Sequence, residues 1–200
     1  MRQVNSIVRL NGIMILFFGL LLFLIGVFAA PFILNYSLMQ EKNPCISFEC
    51  IIKPVQGYSM DPTIRDGDSI RIAVDYYSSR PLQRNDIIII DFNVDNSLRV
   101  KRVIGLPRDR IHLTTEGNLA VNGVVVRMHP FGSPFTPDSF NLFRFPSPSF
   151  ERIVPEQKIV AVSDNIEYGF DSLDYGFVDA SFVRGKVITI FPLESSASAP

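Results

Sequence analysis

Residues 13–34 contain no charged side chain, and no other feature limits the possible folds of this chain as much. A helix needs about 20 apolar residues to cross a hydrocarbon core. The stretch is therefore read as a membrane-crossing helix, with 1–12 before it as a short N-terminal tail. Arg2 and Arg9 stand on that tail. The excess of cations on the cytoplasmic side of most spans puts the N-terminus inside and everything after about Asn35 outside. A cleaved signal peptide is the rival reading. Against it, Pro31 follows Ala29-Ala30, Phe28 stands where a small residue is required, and the apolar run exceeds the usual 7–15-residue core. A buried core helix is the other rival, and nothing later in the chain looks able to surround it.

A chain of 200 residues, 47% of them hydrophobic, suffices for this anchor and one domain. Its formal net charge of -1, with no dense Lys/Arg stripe, argues against nucleic acid as a partner. Cys45 and Cys50 follow the anchor on the side expected to be oxidising, and their spacing permits a local disulfide; two inert thiols are the alternative. Two cysteines and two distant histidines, His112 and His129, make no metal site, and no cofactor is expected.

Beyond a neck at 35–52 the pattern is that of β-structure over 53–193. Short Ile/Val-rich runs lie between turn residues at Ser69–Val74, Ile87–Asp91, 98–104, Arg110–Leu113, Lys158–Val162 and Val183–Phe191. The stretch 119–126 reads as a hairpin about Asn122-Gly123, a pair suited to a type I′ turn. Residues 128–155 interleave phenylalanines with prolines and read as an insertion that closes over the core or meets lipid. Residues 194–200 read as a disordered tail. The expected fold is mainly antiparallel β behind one N-terminal transmembrane helix.

Two stretches carry chemistry. Ser59 lies in Gly57-Tyr58-Ser59-Met60-Asp61-Pro62-Thr63-Ile64, where Gly57 allows close backbone approach and Pro62 stiffens the segment. Such a turn can hold a hydroxyl forward with its own N–H aimed at a developing oxyanion. Lys101 lies in Val100-Lys101-Arg102-Val103-Ile104-Gly105-Leu106-Pro107, inside a strand and flanked by branched apolar residues. Alternation puts it on one face with Arg99 and Val103. Burial disfavours an ammonium, and the neutral amine that results can take a proton from a serine, which a guanidinium cannot. Taken singly, each stretch would also suit an ordinary turn or an edge strand.

Together these stretches resemble the bacterial type of signal peptidase I, the serine–lysine leader peptidases. The resemblance continues through Gly67-Asp68-Ser69-Ile70, then Ser163-Asp164-Asn165 and Asp171-Ser172, and on to Arg184-Gly185-Lys186-Val187. It covers about residues 50–193 in order. It implies a membrane-bound serine endopeptidase of the bacterial plasma membrane that removes signal peptides from exported precursors. Ser59 would be the nucleophile and Lys101 the general base. Gly57, Tyr58 and Met60 would serve the oxyanion and substrate, with Asp171, Ser172, Asp164 and Asn165 in support. Substrates would be extended, with small residues at the first and third positions before the cut.

Three positions depart from that pattern. Gly169 stands where the family usually has a serine that hydrogen-bonds the lysine, Ser163 replaces a glycine, and Leu173 replaces an arginine that pairs with the aspartate. The departures motivate two rivals: a specialised relative processing pilin or another conjugation substrate, and a non-catalytic protein that binds signal segments. A self-cleaving repressor-type protease is opposed by the anchor and by the lack of a DNA-binding helix pair.

Overall fold

The computed structural model of the chain describes residues 2–91, 97–116, 118–127, 151–165 and 167–193. It divides into two compact units, Met1–Ser47 and Phe48–Pro200. The first is dominated by helix α1 (Arg2–Lys42). Within it Phe18–Met39 is long and apolar enough to cross a membrane. Its large side chains turn outward: Phe28 and Phe32 are each about three-quarters exposed (74% and 77%). After the helix, the Asn43 carboxamide accepts the Cys45 N–H at 3.2 Å and caps a short 3-10 turn, Pro44–Ile46.

The second unit is antiparallel β. Its larger sheet has seven strands in the order β1-β2-β11-β3-β4-β9-β10. These are β1 (Cys50–Pro54), β2 (Ser69–Val74), β3 (Ile87–Asp91), β4 (Leu98–Gly105), β9 (Lys158–Val162), β10 (Val178–Asp179) and β11 (Val183–Phe191). The smaller sheet, in the order β7-β6-β5-β8, holds β5 (Arg110–Leu113), β6 (Leu119–Val121), β7 (Val124–Val125) and β8 (Glu151–Ile153). A four-residue helix, α2 (Ser172–Tyr175), precedes β10.

Alternation along the strands builds three apolar clusters. Ile70, Ile72, Ile89 and Val187 pack with Met60 and Ile64 from the turn after β1. Ile88, Ile90, Val103, Ile159 and Ala161 form another cluster. In the third, Ile104, Val160 and Val162 meet Ile111, Leu119 and Val121, joining the two sheets. The sequence runs at Ser69–Val74, Ile87–Asp91, Arg110–Leu113, Lys158–Val162 and Val183–Phe191 are strands within those limits, and β4 extends one residue past 104. Asn122 and Gly123 both have positive φ, 52° and 80°, as the hairpin turn requires.

Four elements had no clear signature. β1 begins inside the stretch read as neck, β8 lies inside the Phe/Pro-rich stretch, and β10 and α2 are very short. β1 and β10 each exist through a ladder to one long partner, β2 and β9 respectively, and so owe little to their own pattern. Residues 128–150, His129 among them, and the tail 194–200 lie outside the described residues.

Candidate active site

Ser59 sits in the turn joining β1 to β2, and the hydrogen bonds around it explain its position. Val55 and Gly67 extend the β1–β2 pairing, with the Gly67 N–H donating to the Val55 carbonyl at 3.0 Å. Gly57, at φ +94°, donates its N–H to Asp66 Oδ1 at 2.7 Å. The Ile64 N–H donates to the Met60 carbonyl at 2.9 Å, and both side chains are buried in the core. With Met60 and Ile64 pinned on one side and Gly57 on the other, the half-buried Ser59 has little freedom.

Lys101 comes from the middle of β4, paired with Ile88 of β3. It is only 3% exposed, and its Nζ lies 3.5 Å from Ser59 Oγ. That separation is at the long end of the range for a hydrogen bond. Burial holds the ammonium below lysine's ordinary titration range; Asp171 opposes this, Arg99 adds to it, and Asp174 and Asp164 oppose it more weakly. An amine that gives up its proton more readily than an ordinary lysine thus stands beside a hydroxyl, which is the arrangement proton abstraction needs.

The supporting residues approach from the segment after β9. Asn165 donates its N–H to the Ser59 carbonyl at 2.9 Å. Asp164 accepts two hydrogen bonds from Arg102, from Nε at 2.7 Å and Nη2 at 2.6 Å, and its side chain is 2% exposed. Arg102 also reaches Thr63 Oγ1 at 3.5 Å, so one guanidinium links β4, the serine turn and the 164 segment. Asp171 Oδ2 accepts the Ser163 N–H at 2.7 Å, and Ser172 Oγ accepts the Ala161 N–H at 2.9 Å. Gly57, Tyr58 and Met60 line the same groove as Ser59 and Lys101.

That groove, of about 500 Å³, is bordered by residues 53–60 and 97–101, with Ile70, Ile72 and Ile89 at its floor and Tyr168 and Phe170 beside it. The rings of Tyr58 and Tyr168 stand 5.7 Å apart. Among the described residues no three His, Cys, Asp or Glu side chains stand together as a metal site. His112 lies on β5 in the smaller sheet. Neither Cys45 nor Cys50 is a free thiol. Sequence reasoning passed over the link made by Arg102 and Thr63. The available signal was Arg102's place on the alternate face of β4.

Residues 45–192 match the signal peptidase family, peptidase S26. The chain belongs to that family. It is 28% identical over 142 residues to signal peptidase IB of Staphylococcus aureus, covering 66% of this chain and 73% of that one. It is 32% identical over 139 residues to signal peptidase I of Bacillus licheniformis, covering 68% and 74%. A crystal structure of a signal peptidase I from Enterococcus faecalis overlaps 55% of this chain and 98% of its own, at 26% identity and a TM-score of 0.40. As a member of the signal peptidase family the chain is a serine endopeptidase of the signal-peptide-removing kind. Its apolar helix makes it a membrane-anchored one.

Proposed function

We propose that Ser59 is the acylating nucleophile and Lys101 its general base, acting on precursors whose cleavage site lies extended in the groove. The observation that carries this reading is the buried Nζ of Lys101, 3.5 Å from Ser59 Oγ. The neutral amine takes the Ser59 proton as Oγ attacks the scissile carbonyl, and the resulting ammonium returns it to the leaving amine. Water then enters and attacks the acyl carbonyl as it gives a proton to the same amine, and the ammonium returns that proton to Ser59 Oγ as the acyl group leaves. Oxyanion charge falls to the backbone N–H of Ser59, in the turn that Gly57 and Met60 hold.

Substrate recognition follows from the walls. The β9 ladder on β4 begins at Arg102, so 98–101 lack that partner and border the groove. A peptide laid between 98–101 and 53–57 adds as a strand, with main-chain hydrogen bonds for affinity. Ile70, Ile72 and Ile89 close the floor, which suits small residues at the first and third positions before the cut. Arg2 and Arg9 put the N-terminus in the cytoplasm and the β-unit on the exported side of the bacterial plasma membrane.

The test is cleavage of an exported precursor by the full chain in detergent. Ser59→Ala and Lys101→Met are each expected to lower kcat/KM by about 10³-fold or more. Activity retained in either variant rules out the dyad.

A further inference from the structure

Ser163 is completely buried, at 0% exposure, and its Oγ has no hydrogen-bond partner among the described residues. An unpaired buried hydroxyl is disfavoured and rarely kept without a use. The strand register says what stands nearest. Arg102 pairs with Val162 and Val103 with Ala161 in the antiparallel β4–β9 ladder. Continued one step past the last paired residues, that register would bring Ser163 across from Lys101. Directly opposed residues share a face, with Cβ atoms about 4.5–5.5 Å apart. The diagonal bond from Arg102 to Asp164 shows that the chain still runs beside β4 at this point.

The space around the hydroxyl is reserved. A Cβ built on Gly169 would overlap the Ser163 side chain and come within 3.0 Å of Asp171 Oδ2. Any residue but glycine at 169 would evict the Ser163 hydroxyl. Asp171 in turn holds the Ser163 backbone through its N–H at 2.7 Å. Glycine at 169 and the carboxylate at 171 therefore keep the Ser163 hydroxyl where it is.

We propose that Ser163 is a positioning residue whose Oγ accepts a hydrogen bond from the Lys101 amine and so aims its lone pair at Ser59. A neutral amine has two N–H donors and one lone pair, and rotation about its terminal bond scatters the lone pair unless a donor is held. Contact with Ser59 alone leaves that rotation open. A second acceptor across the strand closes it. The role rests on the proposed part of Lys101 as base.

The hydroxyl binds an ammonium more strongly than an amine, so it also raises the affinity of Lys101 for its proton. The charged groups facing Lys101 are Asp171, Arg99, Asp174 and Asp164, and all of them remain when Ser163 is changed. Ser163→Ala in the full chain is expected to lower kcat by about 10–100-fold with KM little changed. The acid limb of the rate profile should move to lower pH by about one unit. Thermal stability should fall only slightly, because a single hydrogen bond is lost. The exchange Ser163→Gly with Gly169→Ser puts a hydroxyl back into the same space and should recover at least about tenfold over Ser163→Gly alone. Titration of Lys101 in protein carrying ¹³C-labelled lysine, assigned against Lys101→Met, reads the same shift without any substrate. Inactivity of the wild-type chain would defeat the peptidase reading and leave this titration to decide the present one. Wild-type kcat in Ser163→Ala, a Lys101 titration that does not move, or a folded exchange variant no better than Ser163→Gly would each overturn the proposal.

Discussion

At pH 7 a lysine of ordinary titration is almost wholly protonated and has no lone pair to offer a serine. Among this chain's strand lysines, Lys186 shows the usual solution: its Nζ meets Asp86 Oδ1 at 2.6 Å. Lys101 is buried beside a hydroxyl instead. The rate should therefore rise with pH through the lowered Lys101 titration, and a flat profile from mildly acid to alkaline pH would refute it. Folding stability carries the same signature. Between the folded and the higher unfolded value the unfolded chain holds the extra proton, so stability climbs with pH across that window. Below the folded value the penalty is complete. Lys101→Met should thus raise the melting temperature most at pH below the folded Lys101 titration, and the gain should shrink as pH approaches about 10.4. A gain independent of pH would show that burial is not what shifts this amine. Ser59 and Lys101 could be picked out in the sequence because each lies in a short, dense motif. Ser163 stood out only as a departure from the family pattern, because what its hydroxyl meets depends on the space at Gly169 and on the strand beside it.

Strands and turns hold these side chains through a few buried polar links. Arg102 and Asp164 tie β4 to the segment after β9 with two hydrogen bonds, at side-chain exposures of 14% and 2%. Removing one member leaves the other charged and buried. Asp164→Ala is expected to cost about 3–5 kcal/mol in urea unfolding, and an apolar replacement of both partners much less. Equal losses in the single and double variants would mean that the link carries little. The Asn122 turn is a second anchor: its Nδ2 donates to Asp109 Oδ1 at 2.7 Å and its Oδ1 accepts the Arg110 N–H at 2.9 Å. Asp109 also meets Arg84 at 2.8 Å. Asn122→Ala should cost about 1–3 kcal/mol in the same assay. Alternating runs made the long strands readable, since a period of two in hydrophobicity reports one buried face. The short strands β1, β8 and β10 escaped because a partner's ladder, more than their own composition, calls them into being.

At the scale of the whole chain, the membrane-crossing stretch and the β-unit answer to different solvents. A protein bearing Phe18–Met39 as an exposed apolar helix should partition into detergent, whereas one lacking residues 1–42 should remain in the aqueous phase. A truncated chain that still sediments with membranes would point to lipid contact by the β-unit. The order of residues was enough to reveal the apolar span, the long strands and the serine and lysine motifs, because each is a pattern within about ten neighbouring positions. It could not reveal which groups meet at Lys101. Residues 59 and 101 come from separate segments, and only the fold of the sheet β1-β2-β11-β3-β4-β9-β10 brings them together. Titration, hydrogen-bond partners and free space are properties of that three-dimensional neighbourhood. The role proposed for the serine at 163 exists only because β9 lies against β4.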